Sequence, residues 1–276
     1  MVQEIGIVET RKIVSLIKEK YDYDFHDFAL TTFKRRITKA INLSNFNNAD
    51  DFINRLGEDK RIFDRVLETL LIDETEMFRD PSLWRELRDR YFKDIIAKNR
   101  ETKIWMIHAT SGDELFTLGI VLKEMGILDK AKIIVTCLSD SRIERIKNGG
   151  GYELKKIEVG EANYKRYSEK NDLKDYCTIK NNKVYLDQSL IKNVEFVKHN
   201  LVQDELLTGF KIIFCRNIFL YFNQTLQERM SSAIYDSLMS GGYLILGGKE
   251  TLDSCSVGKR LKTLNAEERI YKKGIA

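Results

Sequence analysis

The sequence predicts an α/β protein in which a small N-terminal helical bundle precedes a domain built on a parallel sheet. Two observations support this fold class. Apolar residues recur at helical spacing as far as the single proline, Pro81, and strand-like runs alternate with helix-like runs after Lys98. A length of 276 residues suits one to two domains. We expect a helical domain over residues 1–90 and a second domain over residues 91–276.

The N-terminal part shows a regular helical pattern. Phe33, Ile37 and Ile41 repeat every four residues, so they fall on one face of a helix. Similar faces precede and follow this one, at Ile13, Val14, Leu16, Ile17 and Tyr21, at Phe52, Ile53 and Leu56, and at Phe63, Val66, Leu67 and Leu70. Because each apolar face must be buried against another helix, the pattern predicts a bundle of about seventy residues.

In the second domain, strands and helices are expected to alternate. The predicted elements are a strand at 103–108, a turn of small residues at 109–112, a helix at 113–125, a strand at 132–138, a helix at 141–147, a strand at 210–215, a helix at 225–238, and a strand at 243–246 after a turn at Gly241-Gly242. The irregular, polar stretch at 151–193 predicts an inserted subdomain. Within it, residues 177–186 suit a hairpin that turns at Asn181-Asn182.

Composition excludes several classes of protein. Apolar residues at 43% and charged residues at 32% are typical of a soluble globular protein, and the longest apolar runs are too short to span a membrane. The chain opens without a secretory leader, so we expect a cytoplasmic protein. The four cysteines form no CxxC pair, which argues against a zinc site and against a disulfide framework; we expect no metal.

Charge points to an acidic partner and not to nucleic acid. The net charge of +4 is mild, but Lys34, Arg35 and Arg36 form a basic cluster within a helical pattern. These three residues would offer a basic face to an acidic partner, but on charge alone a solvated helix face explains them better.

Candidate ligand-binding residues lie at the ends of predicted strands. The run from Phe210 to Cys215 is apolar, and Arg216 and Asn217 follow it directly. Ligands of open α/β sheets bind just beyond the carboxyl ends of the strands, so these two residues are expected to contact a ligand. A nucleotide would also need an acidic residue after the second strand to bind its ribose hydroxyls, and Asp140 is the candidate.

Four segments resemble motifs of the chemotaxis-receptor glutamate methyltransferases, the CheR family, and they occur in the family's order. Residues 73–80 resemble "N-x-T-x-F-F-R", residues 112–114 resemble the loop "T-G-E-E-P-Y-S", residues 194–201 match "V-x-F-x-x-H-N-L", and residues 213–222 match "FCRN…IYF". The resemblance extends over nearly the whole chain. It implies a Rossmann-like, S-adenosylmethionine-dependent methyltransferase domain with a small inserted β subdomain at 151–193.

The resemblance also implies a cofactor and a set of residues that bind it. The cofactor would be S-adenosylmethionine, with S-adenosylhomocysteine as its product. Glu114 would accept from the amino group of its methionine end, and Asn200 and Leu201 would flank its adenine. The full implied set of cofactor-binding residues is Asp73, Thr75, Arg79, Glu114, Asp140, Asn200, Leu201, Arg216 and Asn217.

The implied reaction is direct in-line methylation of glutamate carboxylates on the cytoplasmic helices of chemoreceptors. Glutamate is ionised at neutral pH and the cofactor carries its own leaving group, so the reaction needs alignment more than acid–base catalysis. By family resemblance, Arg79 and Tyr221 would orient the target carboxylate. We expect a monomer that docks on receptors through Lys34, Arg35 and Arg36.

Departures from the family pattern keep other readings open. Asp73 replaces asparagine, His108 replaces a small residue, and Leu138 takes the place of an acid. These changes cluster around the implied cofactor site, so one alternative is a non-catalytic signalling module of the same fold. A methyltransferase with another substrate is a second alternative. A nicotinamide dinucleotide enzyme is disfavoured, because no G-x-G-x-x-G follows the first strand. Without the family, Arg79 could instead form an interdomain salt bridge and Thr75 a helix cap.

Overall fold

The helices of the N-terminal domain form a bundle in the computed structural model, which describes residues 5–43, 46, 48–71 and 75–275. They are α1 (Ile7–Tyr21), α2 (Leu30–Leu43), α3 (Ala49–Glu58) and α4 (Lys60–Leu71). Their shared core contains Ile13, Ile17, Ile37, Phe52 and Leu56, all fully buried. The apolar faces predicted from helical spacing therefore do meet in one core.

A helical segment connects the bundle to the sheet. It comprises α5 (Pro81–Glu86) and a π-helical continuation, Leu87–Ala97, whose wider turn the 3.6-residue pattern did not predict. Pro81 occupies the first turn of α5, where its missing N–H costs no hydrogen bond. Phe78, Trp84 and Phe92 are buried in the core of the second domain. Packing thus groups this segment with the sheet, whereas we expected the domains to divide at residue 90.

A seven-stranded sheet forms the centre of the second domain. Its strands are β1 (Thr102–Met106), β2 (Ala131–Cys137), β6 (Val194–Lys198), β7 (Phe210–Cys215), β8 (Leu238–Leu246), β9 (Leu261–Asn265) and β10 (Ile270–Lys273), in the spatial order β6-β2-β1-β7-β8-β10-β9. The first five strands in this order are parallel, as predicted, and β10 is antiparallel to β8 and β9. Strand order reverses direction between β1 and β7, which is where open α/β sheets bind their ligands.

The remaining helices are α6 (Asp113–Glu124), α7 (Asp140–Lys147), α8 (Leu154–Tyr167) and α9 (Gln224–Ser237). One prediction in this region was wrong, because Gly241-Gly242 lies inside β8 and not in a turn before it. Gly241 has a φ of 64°, and the pairing of β8 with β7 shifts register between Phe210 and Ile212. The glycines therefore permit an irregularity in a longer strand.

The inserted subdomain contains α8 and a small antiparallel sheet. Its strands are β3 (Tyr152–Glu153), β4 (Cys177–Lys180) and β5 (Lys183–Leu186), in the order β3-β5-β4. Asn181 and Asn182 have φ values of 50° and 58°, as a two-residue hairpin turn requires. The predicted hairpin is therefore present.

Several contacts join the helical bundle to the sheet domain, among them the following two. Phe28, in the connection between α1 and α2, forms a β-bridge with Phe222 beyond β7. On α4, Glu68 receives hydrogen bonds from Arg142 at the start of α7. Within the part of the chain that the structure describes, no helix is long and apolar enough to cross a membrane.

Candidate functional site

A cleft opens at the carboxyl ends of β1 and β7 and has two connected parts. The upper cleft is lined in part by Thr75, Arg79, Ala109, Glu114, Arg216 and Asn217. The lower cleft is lined in part by Phe28, Leu138, His199, Asn200, Leu201 and Tyr221. His108 and Ile218 line both parts. The cleft thus brings together most of the site residues predicted from the sequence.

The turn after β1 forms the floor between the two parts. His108 has a φ of 58°, in the left-handed region that glycine enters freely but other residues enter at a cost. Backbone hydrogen bonds hold the turn, since Ile107 N–H donates to Phe214 and Ala109 N–H donates to Thr136. Gly112, with a φ of 89°, completes the turn into α6. His108, at a position where the family has a small residue, therefore lies where the upper and lower parts of the cleft meet.

A buried aspartate that the sequence motifs did not single out organises this loop. Asp113 is fully buried, and its Oδ2 accepts from Thr75 Oγ1 at 2.6 Å and lies 2.8 Å from Lys156 Nζ on α8. Ser111 Oγ donates to the same oxygen. The single hydroxyl proton of Thr75 is therefore used in its hydrogen bond to Asp113. The network also ties the inserted subdomain to the cleft through Lys156.

Arg216 lies at the centre of the upper cleft. Its guanidinium donates to Glu114 and to Asp80, and its side chain is almost fully buried. Burial by itself lowers the pKa of Arg216, but the neighbouring carboxylates of Glu114 and Asp80 outweigh this effect and raise it. Nε of Arg216 is buried without a hydrogen-bond partner among the described residues.

Glu250, which was not predicted from the sequence as a site residue, fixes the backbone of Asn217. Its carboxylate accepts from the backbone N–H groups of Asn217, Phe219 and Gly247 at 2.7–2.8 Å. Burial raises the pKa of Glu250, while these hydrogen bonds and Arg216 oppose the shift. Asn217 has a φ of 60°, so Glu250 stabilises a turn that few residue types adopt.

Arg79 faces the upper cleft with an uncommitted cation. Its guanidinium has no ion-pair or hydrogen-bond partner among residues 5–43, 46, 48–71 and 75–275, although its backbone carbonyl accepts from Trp84. The alternative in which Arg79 forms an interdomain salt bridge has no support in this part of the chain. An arginine of this kind can bind a carboxylate through two parallel hydrogen bonds.

The lower cleft combines an apolar wall with a polar loop. Asn200 shapes that loop, since its Oδ1 accepts from Val202 N–H at 3.1 Å and its Nδ2 donates to Gln203 at 2.7 Å. His199 is buried, and its Nε2 lies 3.0 Å from the carbonyl oxygen of Glu205. Nδ1 of His199 has no partner within the described chain. A planar, partly polar ligand such as a purine would fit these surroundings.

Tyr221 and Arg36 contact each other at the rim of the lower cleft. Arg36 Nη2 donates to the Tyr221 hydroxyl, and the guanidinium carbon lies 4.3 Å from the centre of the tyrosine ring. Arg36 was predicted to bind a partner together with Lys34 and Arg35. The structure instead directs it towards Tyr221 of the other domain, while Arg35 is exposed and Lys34 is half-exposed.

Two predicted cofactor-binding residues remain: Asp140 does not line either part of the cleft, and Asp73 lies outside the described residues. Asp140 starts α7, is largely exposed, and lies 2.7 Å from Lys198 Nζ. It lines a groove between α1, α4 and α7 that shares Tyr23 and Leu138 with the lower cleft, so its contact with ribose stays a prediction.

Comparison with known proteins identifies one family and several individual relatives. The family model described as "CheR methyltransferase, SAM binding domain" matches residues 73–270, and the model described as "CheR methyltransferase, all-alpha domain" matches residues 9–71. A Pseudomonas putida relative named Cher3 is 30% identical over 266 residues, and the match covers 96% of this chain and 97% of the relative. A protein from Vibrio parahaemolyticus named "Chemotaxis protein methyltransferase" is 27% identical and covers 71% of both chains.

Among solved structures, the N-methyltransferase NodS from Bradyrhizobium japonicum in complex with S-adenosylhomocysteine is 10% identical, with a TM-score of 0.37. The match covers 72% of this chain and 89% of that chain. A score this low carries no inference about the site.

Proposed function

The chain belongs to the CheR methyltransferase family, and from this premise we propose that it methylates glutamate side chains on the cytoplasmic helices of chemoreceptors. The methyl donor in this proposal is S-adenosylmethionine. The proposal follows from family membership together with one feature of the structure, the two-part cleft at the point where strand order reverses between β1 and β7.

The chemistry of the cleft fits this donor. The cation of Arg79, which has no partner among the described residues, suits its carboxylate. Glu114 suits its ammonium group, because in the described part of the chain Arg216 contacts Oε1 and leaves Oε2 available. Two buried atoms that lack partners within the described residues, Arg216 Nε and His199 Nδ1, belong to residues that line the upper and lower cleft. Such atoms cost stability unless a ligand or water satisfies them, which supports a polar ligand in both parts.

The residues of the chain would act by binding and orienting. The bound cofactor supplies a methyl group on a positively charged sulfur, which is itself the leaving group. The target glutamate is ionised at neutral pH, so no base is required. Asn217, held by Glu250, and the loop around Asn200 would fix the two ends of the cofactor, and Tyr221 and Arg79 would orient the target carboxylate.

One specific observation favours a second candidate, a non-catalytic signalling module of the same family. His108 lies at the junction of the two parts of the cleft, where the family has a small residue, and Leu138 lines the lower cleft where the family has an acid. A larger side chain at the junction and the loss of an acceptor for ribose would both weaken cofactor binding.

Titration with S-adenosylhomocysteine by calorimetry separates the two candidates. We expect saturable binding in the micromolar range, weakened about tenfold or more by Arg79→Ala, since a hydrogen bond to a charged group contributes ~1.5–3 kcal/mol. Arg61→Ala, which changes an exposed arginine of the bundle, is the matched control. Asp140→Ala tests the ribose prediction, since unchanged affinity would remove Asp140 from the site. No heat at millimolar ligand would contradict the methyltransferase proposal and favour the signalling module.

The substrate is tested separately, with isotope-labelled S-adenosylmethionine and a purified chemoreceptor cytoplasmic fragment. We expect label in the fragment that is released as methanol by mild base, as carboxyl methyl esters are. Tyr221→Phe should lower turnover by about tenfold or more, with S-adenosylhomocysteine affinity nearly unchanged. Cofactor binding without base-labile transfer would point to a different methyl acceptor.

A further inference from the structure

Arg36 is separated from the rest of the basic cluster by its contacts. It is half-buried, and its guanidinium donates to two groups in different domains, the carbonyl of Leu70 at the end of α4 and the hydroxyl of Tyr221. Arg35, its neighbour on α2, is exposed. An arginine that bridges two domains in this way is placed to set the position of one relative to the other.

The turn that carries Tyr221 is held by the helical domain at several points. Ala29 N–H donates to the Tyr221 carbonyl at 2.7 Å, and Asn223 N–H donates to the Asp27 carbonyl at 2.9 Å. Phe28 bridges Phe222 on the same segment, and their rings meet edge to face at 5.4 Å. These contacts fix the backbone of the turn, so the remaining freedom of Tyr221 lies in its side chain.

Arg36 removes much of that remaining freedom. A guanidinium can only donate hydrogen bonds, so the phenol oxygen of Tyr221 accepts from Arg36 and its own proton must point elsewhere. The cation also covers the face of the ring, with Cζ 4.3 Å from its centre. The hydroxyl is thereby held as a donor beside a positive charge, which suits a carboxylate acceptor.

We propose that Arg36 is a positioning residue for the methyl-transfer reaction, holding the Tyr221 hydroxyl as the donor that orients the target glutamate. This inference rests on the proposed function. It makes the helical domain part of the reactive centre as well as a docking surface, and it assigns Arg36 a role different from that of Arg35.

A double-mutant cycle tests the proposal with a chemoreceptor cytoplasmic fragment as substrate. We expect Arg36→Met to lower kcat about tenfold, equivalent to ~1.4 kcal/mol, while KM for the fragment and S-adenosylhomocysteine affinity change by less than about twofold. In a Tyr221→Phe background, Arg36→Met should have almost no further effect on kcat, because the hydroxyl it positions is gone. Arg61→Met, at an exposed arginine of α4, is the matched control and should not lower kcat.

Two results would overturn the proposal. Equal losses from Arg36→Met in the presence and absence of the Tyr221 hydroxyl would mean that Arg36 acts independently of it. A rise in KM shared by Arg35→Met and Arg36→Met, with kcat unchanged, would return Arg36 to the docking surface. If Arg36→Met does not fold, Arg36→Lys serves instead. An ammonium keeps a donor and the charge but cannot bridge the Leu70 carbonyl and the Tyr221 hydroxyl. We expect Arg36→Lys to lower kcat partially, and this loss should disappear in the Tyr221→Phe background.

A measurement without substrate keeps this inference separable from the proposed function. In protein labelled with carbon-13 in its tyrosine rings, the signal absent from Tyr221→Phe is that of Tyr221. It should shift in Arg36→Met and stay in place in Arg35→Met. An unmoved signal would contradict the contact on which the proposal rests, whereas a shifted signal in a protein that transfers no methyl group would reject the proposed function alone.

Discussion

Glu250 and His108 show how single side chains control the backbone of the cleft. Glu250 accepts three backbone hydrogen bonds in a buried position and so holds Asn217 in the left-handed region. His108 occupies the same region without glycine's freedom. Histidine and asparagine are among the residues that tolerate this conformation, so the chain can keep both turns at modest cost.

Replacing Glu250 with glutamine should destabilise the protein and weaken the cleft. A carboxylate offers acceptors on both oxygens, whereas an amide turns an N–H₂ group towards at least one of the backbone N–H donors. We expect Glu250→Gln to lower the free energy of unfolding by about 1–3 kcal/mol in urea titrations and to reduce S-adenosylhomocysteine affinity through Asn217. Glu267→Gln, at an exposed glutamate of the turn before β10, is the control; equal effects from both changes would contradict the role given to Glu250.

The docking of α4 against the start of α7 joins the two domains through a mostly buried ion pair. Arg142 is 4% exposed, and its Nε donates to Glu68 Oε2 at 2.7 Å. Burial by itself raises the pKa of Glu68, but Arg142 and the hydroxyls of Ser139 and Ser141 outweigh this and lower it below 4.5. The carboxylate therefore stabilises the folded state above its ordinary pKa, and this contribution is lost as pH falls through the lower, folded-state value.

Glu68→Gln should accordingly remove part of the acid sensitivity of folding. Near neutral pH we expect the variant to be less stable than the wild type by ~1–2 kcal/mol, since a hydrogen bond to a charged group is lost at a partly exposed site. The difference should shrink as pH falls through the lowered pKa of Glu68, where the wild-type carboxylate becomes protonated too. Urea unfolding at a series of pH values measures this; a difference independent of pH would mean that the charge on Glu68 does not contribute.

Among the residues that the structure describes, α2 carries basic side chains beside the cleft, and we expect an acidic partner to dock there. With Arg36 engaged by Tyr221, the candidates for contact with an acidic receptor surface are Lys34 and Arg35 on α2, next to the rim where Tyr221 lies. Leu220, adjacent to Tyr221, is 43% exposed and adds apolar area at the same rim. A receptor helix bound here would bring its glutamates to the cleft.

Reversing both charges, with Lys34→Glu and Arg35→Glu together, should weaken binding to a chemoreceptor cytoplasmic fragment by on the order of tenfold at low salt. High salt should weaken the wild-type complex as well, because it screens the same charges. Lys262→Glu, on β9 at the far edge of the sheet, makes the same kind of charge change away from the cleft and should have little effect. Affinity that is indifferent to salt and to both reversals would reject this docking face.

Local patterns in the sequence predicted the elements and the position of the cleft. The spacing of Ile37 and its neighbours predicted buried helix faces, and the pair Asn181-Asn182 predicted a hairpin turn. The apolar run that ends at Cys215 predicted a strand end, and the residue after it, Arg216, lines the cleft. These features depend on residues close together in the chain, where side-chain periodicity and turn geometry act directly.

Partners distant in the chain were decided by the tertiary structure. Arg36 contacts Tyr221 across 185 residues, Glu250 accepts from a turn 33 residues before it, and Asp140 pairs with Lys198 in the groove that adjoins the lower cleft. A side chain such as that of Arg36 has the same charge and helical phase whether it faces solvent or another domain. Only the packing of the bundle against the sheet selects between these environments, and it places Arg36 against Tyr221 while Arg35 stays exposed.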